Sequence, residues 1–175
     1  MNRRLVVTGK DSSGKSVFVS DAQVEPVTVS LVPGAEFHRM WGGDEVPKLP
    51  ADGTPPSQPT YFPPPAGYRF GFFTLPPLDE SALGEIDLTA ALAEFAEKLP
   101  GMAEHMEPDN PGMHTTKTID YGVVVSGSVV LELDDGAVVE LKQGDAYIQN
   151  GTRHRWINRG TEPAVIAIAI VGAEA

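Results

Sequence analysis

Four polar side chains that could carry chemistry recur at every second position in the last third of the chain: His114, Thr116, Thr118 and Asp120. In an extended strand, alternate side chains point to the same face, so these four predict one polar stripe. The stripe runs directly into Gly122-Val123-Val124-Val125, an apolar segment that predicts a buried strand. We therefore expect the stripe either to face water or to line a cavity.

A second candidate strand places His154, Trp156 and Asn158 on one face. Imidazole and carboxylate groups brought together can bind a transition metal or transfer protons. The alternative is structural. His114 and His154 would then form hydrogen bonds across a solvated barrel mouth, and Asp120 would accept a hydrogen bond that fixes its strand.

These two segments resemble the two conserved motifs of the cupin superfamily. The first motif, G-x5-H-x-H-x3-E-x6-G, is matched in spacing by His114, Thr116, Asp120 and Gly127. The second, G-x5-P-x-G-x2-H-x3-N, is matched with one residue fewer after its first glycine. Its matching positions are Gly144, Gln149 (in place of proline), Gly151, His154 and Asn158. The resemblance covers about sixty residues.

The resemblance implies a site for a divalent transition metal such as Fe, Mn, Ni or Zn, with departures at two positions. The ligand positions of metal-binding cupins correspond to His114, Thr116, Asp120 and His154. The second histidine is thus a threonine, and the glutamate is a shorter aspartate. Two histidines and one carboxylate still make a facial triad, so the predicted metal ligands are His114, Asp120 and His154. The other alternative is a barrel without a metal.

The resemblance implies an enzyme acting on a small molecule inside the barrel, with His114, His154 and Asp120 as the catalytic residues. With a metal, the reaction would be oxygenation or decarboxylation. Without one, a histidine would act as general base, oriented by Asp120, in an isomerisation or dehydration. The alternative is a non-catalytic cupin that binds a ligand or serves as a structural dimer. The predicted pocket residues are Thr116, Thr118, Tyr121, Gln149 and Trp156.

The elements around these motifs predict an all-β fold, which the resemblance makes a cupin double-stranded β-helix, or jelly-roll barrel. Short runs rich in β-branched residues alternate with turn residues, and one helix follows Asp87, with apolar residues at helical spacing up to Leu99. We expect residues 1–111 to supply N-terminal strands, a proline-rich loop and a helical insert packed on the barrel of residues 112–175. Predicted strands in the first part include Val27–Leu31 and Tyr68–Leu75, and Phe70, Phe72 and Phe73 are expected in the core.

The segment Gly9–Ser16 fits the phosphate-loop pattern G-x-x-x-x-G-K-[ST]. Such a loop needs a helix that begins at the lysine, so that its N-terminus faces the phosphate. Here Val17-Phe18-Val19 follows, an alternating segment typical of a returning strand. We therefore interpret Asp11-Ser12-Ser13-Gly14 as a hairpin turn and reject nucleotide binding.

Composition narrows the remaining choices of partner. The 175 residues include no cysteine, which excludes disulfides and thiolate metal sites. Their net charge of −11 argues against binding to nucleic acid or to anionic membrane surfaces. We expect a cytoplasmic protein whose partner is a small-molecule ligand or substrate. The N-terminal strands resemble the arms that small cupins exchange between subunits, so a homodimer is expected.

Overall fold

The computed structural model describes residues 2–78 and 87–174. These residues form mainly strands, with one α-helix, α1 (Leu88–Lys98). The strands are β1 (Arg3–Lys10), β2 (Ser16–Val24), β3 (Glu36–Gly43), β4 (Tyr68–Leu75), β5 (Thr118–Ser126), β6 (Ser128–Glu132), β7 (Val138–Lys142), β8 (Ala146–Asn150), β9 (Arg155–Ile157) and β10 (Ala164–Gly172).

The strands form three antiparallel sheets. A five-stranded sheet in the order β3-β4-β10-β5-β8 and a three-stranded sheet in the order β7-β6-β9 make up the barrel, while β1 and β2 pair only with each other. The all-β cupin fold is confirmed. The larger sheet takes β3 and β4 from before residue 112, so strands from both sides of the expected boundary build one sheet.

Two apolar clusters fill the molecule. One joins strand β3, the segment before it and the end of the helix, and its buried members are Val29, Ala35, Phe37, Phe95, Leu99 and Met102. The other lies inside the barrel and consists of Val124, Val129, Tyr147, Ala164 and Ile166. The β-branched residues of β5, β6 and β10 thus pack between the two sheets, as strand propensity and alternation predict.

The phosphate-loop match is a hairpin turn, as predicted. The Asp11 carboxylate accepts hydrogen bonds from the backbone N–H groups of Ser13 (2.8 Å) and Lys15 (3.0 Å). Gly14 closes the turn with φ +82°, a conformation that favours glycine. Strand β2 then begins at Ser16, so no helix N-terminus is available to a phosphate.

The helix follows its predicted N-cap, whereas the preceding Val27–Leu31 segment differs from the prediction. The Asp87 carboxylate accepts a hydrogen bond from Ala90 N (3.1 Å), and Gly101 adopts φ +82° just beyond the helix. Val27 makes only a single bridge to Phe37, because this segment is held by packing in the first apolar cluster rather than by a ladder.

The three phenylalanines of β4 do not all enter the core as expected. Phe73 stacks on Phe37 with ring centroids 4.9 Å apart. Phe70 and Phe72 point to the opposite face because side chains alternate along a strand. Phe70 is 40% exposed, and the guanidinium of Arg3 lies 4.2 Å from the centroid of the Phe72 ring.

The proline-rich loop of residues 47–65 returns to the barrel at its end. Tyr61 N donates to Pro100 O (2.7 Å), and the Tyr61 ring packs edge-on against Phe37. Phe62 stacks near His114, with ring centroids 6.3 Å apart. The two aromatic residues therefore hold the end of the loop against the barrel, and Phe62 lies beside His114. No helix within the described residues is long and apolar enough to cross a bilayer, and the cytoplasmic location stays a prediction.

Candidate functional site

The polar stripe forms a hydrogen-bonded chain on the inner face of β5. Thr116 Oγ1 lies 2.8 Å from Thr118 Oγ1, and Thr118 donates to Asp120 Oδ1 at 2.6 Å. All three side chains are buried, with Asp120 only 4% exposed. The stripe therefore lines the interior rather than facing water. Because Thr118 donates to Asp120, one oxygen of the Asp120 carboxylate already accepts a hydrogen bond.

The two histidines meet across a backbone bridge between the ends of the two motifs. His114 N donates to His154 O and His154 N donates to His114 O, both at 2.9 Å, and the ring centroids are 4.2 Å apart. Each ring is oriented by a nearby carbonyl. His114 Nδ1 lies 3.0 Å from Gly112 O, and His154 Nδ1 lies 2.9 Å from Thr152 O.

These carbonyls determine which nitrogen carries the proton. A carbonyl can only accept, so each Nδ1 is the donor of the neutral ring and each Nε2 keeps a free lone pair. The sequence-based expectation that Asp120 orients a histidine is not what the structure presents. The orienting acceptors are backbone oxygens, which a side-chain pattern does not reveal.

Burial shifts the pKa values of all three titratable groups toward their neutral forms. Desolvation, together with the neighbouring His114, lowers the pKa of His154 to about 4. Desolvation also lowers the pKa of His114. For Asp120, desolvation raises the pKa to about 6, against a smaller opposite effect of the Thr118 hydrogen bond. Near pH 7, both imidazoles are therefore neutral acceptors.

Tyr147 is a site residue that the sequence interpretation missed. Its hydroxyl is buried and has no hydrogen-bond partner among the described residues, and desolvation, with a smaller contribution from the Asp120 charge, raises its pKa above the usual value. The ring lies over Gly122, where an added Cβ would stand 2.2 Å from a ring carbon. Gly122, directly opposite Tyr147 in the ladder, was the available signal.

The predicted pocket residues divide between the two faces. Trp156 lies inside, with its ring 4.7 Å from Tyr147 and 6.0 Å from His154 between centroids. Gln149 is buried and donates from Nε2 to the carbonyl and hydroxyl oxygens of Thr152, which holds the turn before His154. Tyr121 points away from Asp120 and is 49% exposed, because neighbouring residues of a strand face opposite sides. It does not line this interior.

The arginines that flank His154 are engaged in ion pairs outside the barrel. Arg153 makes a two-pronged pair with Glu107 (2.6 Å) and a further contact with Asp134 (2.9 Å). Arg155 pairs with Glu132 through two contacts of 3.0 Å. Their guanidinium groups brace the turn rather than enter the interior.

The donor set fits a metal only in part. An imidazole whose Nδ1–H donates to a carbonyl is oriented as metal-binding histidines usually are, with Nε2 available to the metal. However, residues 2–78 and 87–174 contain no group of three His, Asp or Glu side chains that could hold a metal ion. Thr116 replaces a ligand, and Asp120 is bonded to Thr118. The described residues do not assemble the predicted triad, and the metal centre stays a prediction.

Two cavities of the described residues lie away from the histidine pair. One lies between the N-terminal hairpin, β3 and the proline-rich loop, with a volume of about 310 Å³. The other, of about 20 Å³, lies beside Arg39 and Arg69. Three aromatic rings instead line the interior on the side of the two histidines and Asp120. They belong to Phe62, Tyr147 and Trp156.

Comparisons with known proteins agree with this geometry. The cupin domain family matches residues 103–171. Phomopsin biosynthesis cluster protein C' of Diaporthe leptostromiformis is 53% identical over 47 residues, covering 27% of this chain and 25% of the relative. Cupin-domain-containing oxidoreductase srdD of Neurospora crassa is 43% identical over 54 residues, covering 29% and 28%. The chain thus matches only about a quarter of the length of these curated relatives.

A solved structure extends the likeness to the whole fold. The Cnp3 cupin domain of Schizosaccharomyces pombe superposes with a TM-score of 0.50, covering 97% of this chain and 87% of that one. The sequence identity is 9%, so this likeness concerns the fold alone.

Proposed function

The chain belongs to the cupin superfamily through the domain at residues 103–171, and from this premise we propose that it is an enzyme that performs acid–base chemistry on a small molecule inside the barrel. The reacting groups are His114 and His154 as proton acceptors and Asp120 as the second titratable group. Isomerisation and dehydration are the reaction classes that need only such groups.

The observation that carries the proposal is the pair of facing imidazoles, buried at His154 and half-buried at His114, with both Nδ1 atoms held by carbonyls. A neutral Nε2 can take a proton from a substrate hydroxyl or from a carbon beside a carbonyl. Burial keeps the ring neutral over the working pH range, so the acceptor is always available. With a pKa of about 4 this base is weak, so the proton that it accepts must be an acidic one.

Tyr147 supports the same proposal from the ligand's side. A buried hydroxyl without a partner costs roughly 1–3 kcal/mol, which a ligand that accepts its hydrogen bond would recover. Trp156 provides an apolar wall beside it. We therefore propose a ligand that offers both an acceptor for Tyr147 and a hydroxyl or acidic C–H for an imidazole.

A base-sensitive probe tests the proposal without knowledge of the substrate. 5-Nitrobenzisoxazole opens to a coloured phenolate when a base removes the C–H proton of its isoxazole ring and the N–O bond breaks. We expect turnover above the buffer rate and at least a tenfold loss in His154→Ala and in His114→Ala. His105→Ala is the matched control, since the His105 ring bonds to Thr115 O. Equal rates in all three variants and the wild type would exclude the histidines as bases.

A metal-dependent oxidoreductase is the second candidate, because two relatives are named as oxidoreductases. Both cupin-domain-containing oxidoreductases srdD and virC match about 29% of this chain. Elemental mass spectrometry on protein purified without chelators or a histidine tag separates the two proposals. Near-stoichiometric metal that disappears in His154→Ala would favour the oxidoreductase. Metal below about a tenth of an equivalent in the wild type would favour acid–base chemistry.

A further inference from the structure

A small void lies beside two arginines at the β3–β4 end of the larger sheet. Its volume is about 20 Å³, enough for one particle the size of a water molecule. Arg39 and Arg69 line it together with Tyr61, and Phe70 at its edge is partly exposed. The void therefore lies close to the surface of the molecule, where a small ion can reach it.

The guanidinium of Arg69 has no donor left for a ligand. Its Nε donates to Thr60 O, its Nη1 to Gly43 O and Tyr68 O, and its Nη2 to Thr60 O and to the Asp44 carboxylate. These five contacts match the five N–H groups of a guanidinium. Arg69 thus contributes positive charge and rigidity to the void, but no free hydrogen bond.

Arg39 differs because most of its donors are unused. Its two recorded hydrogen bonds both come from Nη2, one to Gln58 O and one to Thr60 O at 3.0 Å. The Nε–H and the two Nη1–H groups have no partner among the described residues. Three donors of one half-buried guanidinium therefore remain beside a lined void.

The charges around the void do not balance. Asp44 pairs with Arg69 at 2.6 Å, and no carboxylate of the described residues forms a salt bridge with Arg39. Two guanidinium groups thus share one carboxylate. A partly buried charge without a counter-charge is costly, since the protein interior solvates it poorly. A bound anion would remove both the imbalance and the unused donors.

We propose that this void binds a compact monovalent anion, either a halide ion or one oxygen of a carboxylate whose remainder lies outside the void, held by the Nε and Nη1 groups of Arg39. The proposal does not depend on the histidine chemistry, because none of the residues that carry it belongs to that site. The competing occupant is a neutral water molecule. Such a water could accept from Arg39 and donate to an acceptor of the residues that line the void.

Two measurements test the proposal on the full chain. In the first, thermal unfolding is followed in 100 mM sodium bromide, formate or acetate, with sodium isethionate, a bulky anion without a carboxylate, as the reference at equal ionic strength. We expect the midpoint to rise by about 3 °C in the anion that binds, as for a ligand at roughly ten times its Kd. Arg39→Met should abolish the rise, while Arg4→Met should keep it, since Arg4 pairs with Asp21 on the exposed hairpin.

The second measurement needs no variant to fold. Crystals of the wild type soaked in sodium bromide should show an anomalous peak within hydrogen-bond distance of the Arg39 guanidinium. Stabilisation by bromide with this peak identifies a halide site, and stabilisation by formate or acetate without it identifies a carboxylate site. A water peak with no anion-specific stabilisation overturns the proposal. A bromide peak without stabilisation in solution, which is binding at crystal concentration only, overturns it as well.

Discussion

At the scale of single residues, the two histidines owe their proton state to two backbone oxygens and to burial. Gly112 O and Thr152 O fix the Nδ1–H tautomer, and desolvation disfavours the charged ring. The side chains were identifiable from the sequence because the motif spacing places them. Their orientation was not, since it depends on carbonyls whose direction only the folded turns determine.

The tautomer and the pKa of His154 can be measured directly. We expect ¹⁵N-detected NMR to find His154 protonated at Nδ1 above pH 5, with a titration midpoint near pH 4. His105, which is partly exposed, provides an internal comparison in the same spectra. A midpoint near the ordinary histidine value of about 6.5 would show that water reaches the ring freely.

Asp120 gives a second test, based on stability. Its pKa is raised to about 6, so the folded state holds the proton more tightly than the unfolded chain. The stabilisation that protonated Asp120 gives the folded state is fully present below about pH 4 and is lost as the pH rises through 6. At pH 8, we expect Asp120→Asn to raise the free energy of unfolding, measured by urea denaturation, by at most about 3 kcal/mol over the wild type. This gain should shrink as the pH falls toward 4.

The same titration in Asp109→Asn provides the control for this test. Asp109 is an exposed carboxylate, so its removal should leave the pH dependence of stability as in the wild type. A loss of stability in Asp120→Asn at every pH would mean that the carboxylate, rather than its neutral form, is favoured at this position.

At the scale of elements, the contact between β5 and β8 depends on a missing side chain. Gly122 lies opposite Tyr147, and the Tyr147 ring occupies the space where a Cβ would project. We expect Gly122→Ala to lower the free energy of unfolding by about 2 kcal/mol, because overpacking forces the ring or the strand to move. Urea denaturation at pH 7 measures the loss.

A double variant separates this contact from a general effect on the strand. Gly122→Ala combined with Tyr147→Leu removes the ring that the new methyl group would meet. The two changes should therefore be non-additive by about 1 kcal/mol or more. Losses that simply add would show that the methyl group disturbs something other than Tyr147.

Short apolar runs between turn residues were predictable as strands from the sequence, and the exceptions have physical causes. Val129–Leu133 and Ala164–Val171 are such runs, rich in β-branched residues, and they correspond to β6 and β10. Val27–Leu31 has the composition of a strand but no neighbouring strand to pair with along its length. Composition reports the propensity of a segment, whereas a ladder also needs a partner that the chain places beside it.

The site was predictable from the sequence only where polar side chains alternate along a strand. The buried stripe of Thr116, Thr118 and Asp120 followed from alternation alone. Tyr147 was missed because an aromatic residue in a strand usually belongs to the core, and its unpaired hydroxyl is visible only in three dimensions. The arginine site beside β3 was missed for a similar reason, since Arg39 and Arg69 are thirty residues apart in the sequence.

At the scale of the whole molecule, the N-terminal hairpin lacks the packing that would stabilise it alone. Strands β1 and β2 pair only with each other, and two-stranded hairpins are marginal in water. Its contacts with the body of the protein include Lys10 N to Ala51 O at 2.9 Å. Phe18 on β2 is 80% exposed. The homodimer, in which a second copy would cover the hairpin, stays a prediction.

Light scattering coupled to size exclusion tests the assembly. We expect a mass near twice the 18.7 kDa of one chain for the wild type. Phe18→Glu should shift the protein toward the monomer, because it places a charge where the partner would pack. Ser20→Glu changes an exposed residue of the same strand and should have a smaller effect. A wild type that elutes with the mass of one chain would contradict the homodimer.

The side chain of Asn158 performs a task that backbone groups usually perform. Its Nδ2 donates to Leu75 O (3.0 Å) and Glu162 O (2.8 Å), and its Oδ1 accepts from Gly160 N (2.8 Å). One amide thus ties the end of β4 to the loop that leads into β10. We expect the Gly160 amide to exchange its hydrogen more slowly than other loop amides, because Asn158 Oδ1 accepts from it. Opening of this loop would then require that the hydrogen bond from Asn158 to the end of β4 breaks as well.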